Sequence, residues 1–355
     1  MTPIDRAYDV RRGETLDVAR IASYLKKNLT DRDGAVTVQQ FHRGFSNLTY
    51  LIGIGDAEWV LRRPPFGKKA RTAHDMHREY RILSALKPVF PYVPAPLIYC
   101  DDPAVMDAPF YVMQRLKGVI LRKDPPDAPI LDAPTAARLC RRWVEVLAEL
   151  HRLDYQSCGL GDLGNPDGYV LRQVGGWSRR YRDARTDDVP DFESVMAWLS
   201  ANMPADPIKP ALVHNDYKFD NVILDPGDLT RIIGLLDWEM ATVGDPLMDL
   251  GASLAYWIEP GDSDEMKRIR TLPTLVTGML TRRQIVDRYE KKTVTTIENF
   301  SWYYCFGLFR LAVIAQQIYY RFFHGQTTDP RFAALGFAVG VLERAALRVM
   351  QTGAY

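Results

Sequence analysis

Leu212-Val213-His214-Asn215-Asp216-Tyr217-Lys218-Phe219-Asp220-Asn221-Val222-Ile223-Leu224, continued by Ile232-Ile233-Gly234-Leu235-Leu236-Asp237-Trp238-Glu239, is the stretch on which the reading of this chain turns. Each half has the same grammar: a short apolar run delivers a carboxylate to its end, as buried strands of a small hairpin do. The turn between the halves is built on Asp225-Pro226-Gly227-Asp228. The pattern yields a free carboxylate, Asp216, and an amide and a second carboxylate, Asn221 and Asp237, able to share a hard cation. Displacement at phosphorus needs such a set, because its transition state is mostly charge to be neutralised and a hydroxyl to be aimed.

The His-x-Asp-x-x-x-x-Asn spacing of His214, Asp216 and Asn221 is that of a kinase catalytic loop, and Asp237 falls where a metal-binding Asp follows. Further segments are Phe41-His42-Arg43-Gly44-Phe45-Ser46-Asn47-Leu48-Thr49-Tyr50, Trp59-Val60-Leu61-Arg62-Arg63-Pro64-Pro65, Leu150-His151-Arg152-Leu153-Asp154 and Gly244-Asp245-Pro246-Leu247-Met248-Asp249-Leu250-Gly251. On these segments the chain resembles the aminoglycoside phosphotransferase family, whose fold is like that of protein kinases. Within the family it looks most like the branch found as the kinase-like portion of certain acyl-CoA dehydrogenase fusion proteins. The segments follow family order across residues 36–255, and the blocks at 306–310 and 316–321 also look like this branch. The resemblance implies an α+β, bilobal protein-kinase-like fold, with a small N-terminal antiparallel-sheet lobe and a larger, mainly helical C-terminal lobe. The expected division is residues 1–113 for nucleotide binding, 114–117 as hinge and 118–355 for catalysis and substrate. It also implies ATP and Mg²⁺ as cofactors.

Composition limits the alternatives. At 355 residues and 47% hydrophobic, the chain is long enough for two domains and can bury a sizeable core. Its 45 basic and 44 acidic residues nearly cancel, and basic pairs such as Lys68-Lys69 and Arg179-Arg180 are scattered. Nucleic acid and anionic membrane are therefore not expected partners. The four cysteines have no C-x-x-C or metal-like spacing and read as reduced, which suits a cytoplasmic protein. No signal-peptide h-region opens the sequence, and the late apolar run 306–318 is broken by Arg310 and too short to span a bilayer.

In the first lobe, Val18, Ile21, Leu25 and Leu29 predict an amphipathic helix over 15–29, and strands are expected over 36–43, 48–54 and 58–63. A turn at Gly44-Phe45-Ser46-Asn47 presents N–H groups that can cradle phosphate, which makes Ser46 and Asn47 candidate nucleotide-binding residues; an ordinary hairpin turn is the bland alternative. Arg62 and Arg63 stand where a kinase carries its strand lysine. Strand alternation aims only one of them at the site and phase alone leaves the choice open; family register favours Arg62. A guanidinium there changes geometry but keeps the charge. On the helix expected over 72–86, Glu79 lies on the apolar stripe with Met76, Leu83 and Leu86. It is either a buried acid partnered by the strand arginine or a solvated acid at the stripe's edge. A strand at 109–113 leads into Gln114-Arg115-Leu116-Lys117-Gly118, where the resemblance puts the peptide groups of Gln114 and Leu116 against adenine.

In the second lobe a helix is expected over 136–152, ending at His151, read as a structural group near the last carbonyls. Residues 159–176 read as glycine-rich loop and 188–202 as containing a helix. A helix over 248–257 has Asp245 and Asp249 at its start, both read as structural caps. Helical patterns fill 282–290, 296–323 and 331–350. Asp216 is the candidate to accept or orient a hydroxyl proton, and His214 to fix the loop. Lys218 either stabilises transferring phosphate or is simply solvated. Asn221 and Asp237 are the candidate Mg²⁺ ligands, with Glu239 a weaker candidate for a second metal.

These residues point to an ATP-dependent phosphotransferase acting on a hydroxyl of a small molecule. With Gly244 close after Asp237 and no A-P-E anchor, a protein substrate is disfavoured. The branch resemblance suggests a hydroxyacyl-CoA acceptor. Aminoglycoside phosphorylation and a nucleotide-binding pseudokinase or regulatory module are the alternatives. The late helices are aromatic with Arg310 and Arg321 interspersed, unlike the carboxylate-rich pocket a polycation would need, although most of those aromatics read as core.

Overall fold

The computed structural model describes residues 5–29, 34–42, 47–67, 74–123, 131–207 and 209–355. In chain order the elements are α1 (Val18–Asn28), β1 (Val36–Phe41), β2 (Leu48–Ile54), β3 (Ala57–Arg63), α2 (Met76–Leu86), β4 (Pro96–Cys100), β5 (Phe110–Gln114) and α3 (Ala133–His151). There follow α4 (Tyr169–Ala184), α5 (Glu193–Ala201), β6 (Ala211–Val213), β7 (Val222–Leu224), β8 (Ile232–Leu235), β9 (Thr242–Gly244) and α6 (Pro246–Leu254). The chain closes with α7 (Asp264–Ile269), α8 (Arg282–Thr293), α9 (Phe300–Phe323) and α10 (Leu335–Thr352). The expected α+β class is what these elements make: an antiparallel sheet first, helices after.

By contacts the chain forms two compact units that are discontinuous in sequence. The first comprises Met1–Ile120, Cys158–Leu160 and Asn221–Glu239; the second comprises Leu121–Ser157, Gly161–Asp220 and Met240–Tyr355.

The first unit is built on a five-stranded antiparallel sheet ordered β1-β2-β3-β5-β4. The Gly55-Asp56 turn sets the register in which Ile54 pairs with Ala57 and Thr49 with Arg62. Every second residue of β2 is buried, so Tyr50, Ile52 and Ile54 face a core that Ile21 and Leu25 of α1 complete. The helix α2 begins at Met76, capped by Asp75, whose side chain accepts from Arg78 N–H. A second, smaller hairpin pairs β7 with β8 and is tied to the rest of the unit through Val119 and Leu224.

The second unit is helical around a short β6–β9 ladder. Between β6 and β7 the side chains alternate: Tyr217 and Phe219 are buried against Trp143 and Trp257, and Asp216, Lys218 and Asp220 are left half-exposed. The Tyr217 hydroxyl donates to the Trp143 carbonyl at 2.7 Å, which pins the loop to α3. Helices α6 and α9 cross at two glycines. A Cβ at Gly307 would lie 2.2 Å from the Gly251 carbonyl oxygen, and one at Gly251 2.3 Å from that of Tyr303. Only hydrogen fits there.

One expectation needs correction here. The stretch 159–176 is not all loop, because α4 starts at Tyr169 and carries Gly175 and Gly176 inside it. Each glycine costs about 1 kcal/mol of helix propensity, but buried Tyr169, Val174, Trp177 and Tyr181 supply the packing that holds the helix. The strand β4 and the short helix α7 were not anticipated either; β4 shows no clean alternation, with only Cys100 of its residues fully buried.

Candidate active site

Arg62 and Arg63 end β3 with opposite orientations. Arg63 reaches Asp107 at 3.0 Å and lies 3.8 Å over the Phe66 ring. Arg62, 7% exposed, donates from Nη1 to Glu79 Oε1 at 2.9 Å and from Nη2 to Asp237 Oδ1 at 3.0 Å. Phase left two arginines open, and it is Arg62 that meets the acid on the α2 stripe. Burial opposes the guanidinium charge, Glu79, Tyr111 and Asp237 favour it, and the balance lies well above the ordinary arginine range. The group is a permanent cation set between two acids.

Asp237 follows β8 in the left-handed region, φ 69°, which a non-glycine residue adopts only when its surroundings hold it there. Two anchors do so. Leu236 N–H donates to the Asn221 carbonyl at 2.8 Å, and buried Trp238 donates from Nε1 to the Leu235 carbonyl at 3.0 Å. The first also ties the backbone of Asn221 to the residue before Asp237. Asn47 is engaged at both ends of its amide, with His74 Nδ1 at 2.8 Å and Glu239 Oε2 at 2.8 Å. Glu239 therefore serves Asn47, while its carbonyl accepts from Arg78 at 3.1 Å. Gln114 is exposed; its N–H donates to the Ala95 carbonyl at 2.8 Å and its Oε1 accepts from Ala95 N–H at 3.3 Å. Leu116 packs on Gly234, where a Cβ would come within 2.6 Å of it. Ser46 lies outside the described residues.

The other candidates belong to the second unit. Lys218 Nζ donates to Asp216 Oδ1 at 2.8 Å and lies 4.8 Å over the Tyr256 ring, so it is not simply solvated. Burial opposes its charge, Tyr256 and Asp216 favour it, and the ammonium is held above the usual lysine range. His214 is buried, and its Nδ1 accepts from Asp216 N–H at 3.2 Å, as expected of a loop-fixing residue.

Asp249 corrects its expected role. Asp245 caps α6, accepting from Leu247 N–H at 2.7 Å, whereas Asp249 turns inward to the loop. Its carboxylate accepts from His214 N–H at 2.7 Å, Asn215 N–H at 2.8 Å and His151 Nε2 at 3.1 Å. Nε2 thus carries the proton, and His151 Nδ1 accepts from the Tyr289 hydroxyl at 2.7 Å, so His151 does not cap carbonyls. Burial would push the Asp249 carboxyl up, but the hydrogen bonds from His151 Nε2 and the loop's His214 N–H outweigh it and hold it below the usual range. The result is a loop whose left-handed Asn215, φ 63°, is fixed from three sides: Asp249, Met240 O accepting from Asn215 Nδ2 at 3.1 Å, and Arg310 Nη2 donating to Asn215 O at 2.6 Å.

Residues 37–278 match the profile of the phosphotransferase enzyme family. The chain belongs to that family. Among curated relatives of this chain, mouse acyl-CoA dehydrogenase family member 10 is 32% identical over 323 residues, which cover 90% of this chain and 30% of the relative. Chicken acyl-CoA dehydrogenase family member 11 is 32% identical over 335 residues, 90% of this chain and 42% of the relative. The chain thus spans well under half the length of these relatives, which agree with the branch resemblance read from the sequence. A candidate aminoglycoside phosphotransferase from Ralstonia eutropha superposes with a TM-score of 0.79 at 27% identity, covering 95% of this chain and 99% of that one. Choline kinase from Cryptosporidium parvum superposes with a TM-score of 0.62 at 10% identity, over 95% of this chain and 97% of that one. At that identity the likeness speaks for the fold, which is protein-kinase-like.

Among the described residues no helix is long and apolar enough to cross a membrane, and no group of three or more His, Cys, Asp or Glu is arranged to hold a metal. Mg²⁺ asks for less: one or two oxygen ligands from the protein, with waters and phosphates completing the shell. The amide of Asn221 and the carboxylate of Asp237 are such donors, and the phosphotransferase already sets a cation, Arg62, at Asp237. The donor set fits the ion. Two signals for the residues that sequence reasoning missed were present: Asp249 stands between apolar Met248 and Leu250, and Arg310 interrupts an apolar run. A charge in such a setting is buried and needs a stated partner.

Proposed function

We propose that this chain is a Mg²⁺- and ATP-dependent phosphotransferase that phosphorylates a hydroxyl of a small molecule, with a hydroxyacyl-CoA as the acceptor, a class in keeping with the acyl-CoA in the names of its curated relatives. A cytoplasmic setting suits this chemistry. The observation that supports it most is the Glu79–Arg62–Asp237 array, in which a buried, permanently charged guanidinium orients the acid expected to hold metal. Asp216 takes or orients the acceptor's hydroxyl proton as its oxygen bonds to the γ-phosphorus and the bond from that phosphorus to ADP breaks. Lys218, fixed beside Asp216, supplies positive charge for the phosphoryl oxygens. Asn221 and Asp237 hold Mg²⁺, which when bound neutralises charge on the nucleotide phosphates. Arg62, and the peptide groups at Gln114 and Leu116, together with Ser46 and Asn47, serve the nucleotide.

A second reading is a nucleotide-binding regulatory module without turnover. It is favoured by Arg62, which stands where the resemblance expects a lysine. One measurement separates the two: ADP release from Mg·ATP by wild type and Asp216→Asn, over a panel of hydroxyacyl-CoAs and aminoglycosides. Acceptor-stimulated release that falls about 10²-fold or more in the variant is expected. Release that no acceptor stimulates, from a protein that nucleotide still stabilises, would favour the regulatory module.

A further inference from the structure

The phosphotransfer reading leaves one buried charge without an explanation. Arg310, on α9, is only 4% exposed. It donates to the Asn215 carbonyl at 2.6 Å and approaches the Met240 sulfur at 3.6 Å, and among the described residues it has no carboxylate partner. The other buried arginines differ. Arg62 meets Glu79 and Asp237, and Arg282 on α8 meets Asp262 with both terminal nitrogens at 2.7 Å. A buried guanidinium without a counter-ion is costly to keep, unless the counter-ion arrives with a ligand.

Its surroundings are those of an anion receptor. The Arg310 guanidinium lies 5.0 Å from the Trp177 ring centroid, and the Arg180 guanidinium lies 4.7 Å from the same ring. One indole on α4 thus carries two cations. Partial desolvation, then Arg179 and Arg310, lower the Arg180 guanidinium from its ordinary value, in keeping with cations gathered around one ring. Asp216, next in sequence to the Asn215 that Arg310 holds, is engaged by Lys218. Guanidinium forks match carboxylate and phosphate oxygens, and stacking on the indole fixes their planes.

We propose that Arg310, with Trp177 and Arg180, receives a negatively charged group of the acceptor, so that the acceptor is an anion-bearing alcohol rather than a polycation. This rests on the phosphotransfer reading and narrows it. The Asn215 carbonyl that Arg310 holds begins the peptide unit leading into Asp216, which puts the receptor beside the residue that handles the hydroxyl proton. A polycationic aminoglycoside would meet like charge there.

The test compares wild type, Arg310→Gln and Arg180→Gln with 4-hydroxybutyryl-CoA, free 4-hydroxybutyrate, the uncharged pantetheine thioester and kanamycin. KM and kcat are read for each acceptor, together with calorimetric binding in the absence of nucleotide. The proposal expects wild type to prefer an anionic acceptor, and Arg310→Gln to raise its KM and Kd by about 10- to 100-fold. The KM for ATP and for the uncharged thioester should stay within about twofold. Arg180→Gln, an exposed position that keeps the test alive if Arg310→Gln does not fold, should weaken the same acceptor by about threefold. A loss confined to the CoA ester identifies phosphate as the anion, and a loss with the free acid identifies carboxylate. Equal use of the uncharged thioester or kanamycin by wild type would overturn the proposal. So would a fall in kcat common to all acceptors in Arg310→Gln with no selective rise in KM or Kd for the anionic one, which is what a loop-holding role alone would give. If nothing is turned over, binding decides: anion affinity lost in the variants supports the receptor, and unchanged affinity sinks it. Absence of both turnover and nucleotide stabilisation counts separately, against the phosphotransfer reading.

Discussion

Arg62 neutralises two acids with one guanidinium, and that economy makes it vulnerable. Removing it leaves Glu79, 2% exposed, as an uncompensated buried carboxylate. Arg62→Ala should cost about 3–5 kcal/mol in urea denaturation. Adding Glu79→Gln should restore part of the loss, so the double variant falls short of the sum of the two single effects. Additive losses would mean that the 2.9 Å contact carries no coupling. The acid of the pair was legible in the sequence, because the spacing of Met76, Glu79, Leu83 and Leu86 puts it on an apolar stripe, whereas strand phase left Arg62 and Arg63 open. Asp249 was not legible, although it sits in a similar setting. Carboxylates at a helix start are usually caps, and only the tertiary fold shows that Asp245 takes that role and Asp249 turns to the loop.

Helix α6 carries a cap that works against itself as pH rises. Asp245 is 1% exposed, and burial pushes its carboxyl up to about 6. Its folded value lies above the unfolded value of about 3.9, so the folded state binds more protons between about pH 4 and pH 6. Stability from this group is therefore full below about pH 4 and is lost as pH rises through 6. Asp245→Asn keeps a capping side chain without the charge. It should be more stable than wild type at pH 7.5 by on the order of 3 kcal/mol, and the gap should close by pH 4. Chemical denaturation at four pH values between 4 and 7.5 would reveal it, and a gap independent of pH would contradict the buried-carboxyl account. Elements with one strong period, such as β2 and α9, could be read from sequence. The helix α4 could not, since Gly175 and Gly176 argue locally for a loop and Trp177 and Tyr181 override them only once a core exists to receive them.

For the whole molecule, the fold class and the family were readable because the carboxylates and the amide of the 212–239 stretch lie at fixed spacing. The acceptor was not, because the cations proposed to meet it stand on α4 and α9, far apart in sequence. Nucleotide binding gives a global prediction. Mg·ADP at a hundredfold over its Kd adds about 2.7 kcal/mol to the folded state, read as a rise in Tm of roughly several degrees. Asp237→Asn or chelation by EDTA should remove the metal-dependent part of that rise; an undiminished shift in both would mean that Asp237 holds no metal.

The crossing of α6 and α9 bears on how such an enzyme can change its client. Gly251 and Gly307 bring two backbones into contact so close that neither helix can slide or admit a methyl group. Asp249 follows from one helix and Arg310 from the other, so the anchor of the loop and the charged receptor are inherited as a single frozen block. Divergence toward new acceptors then has to run through α4, where Arg180 is exposed and lies outside that contact. Directed evolution on this scaffold should find its gains there, and libraries aimed at the crossing should return mostly unfolded chains.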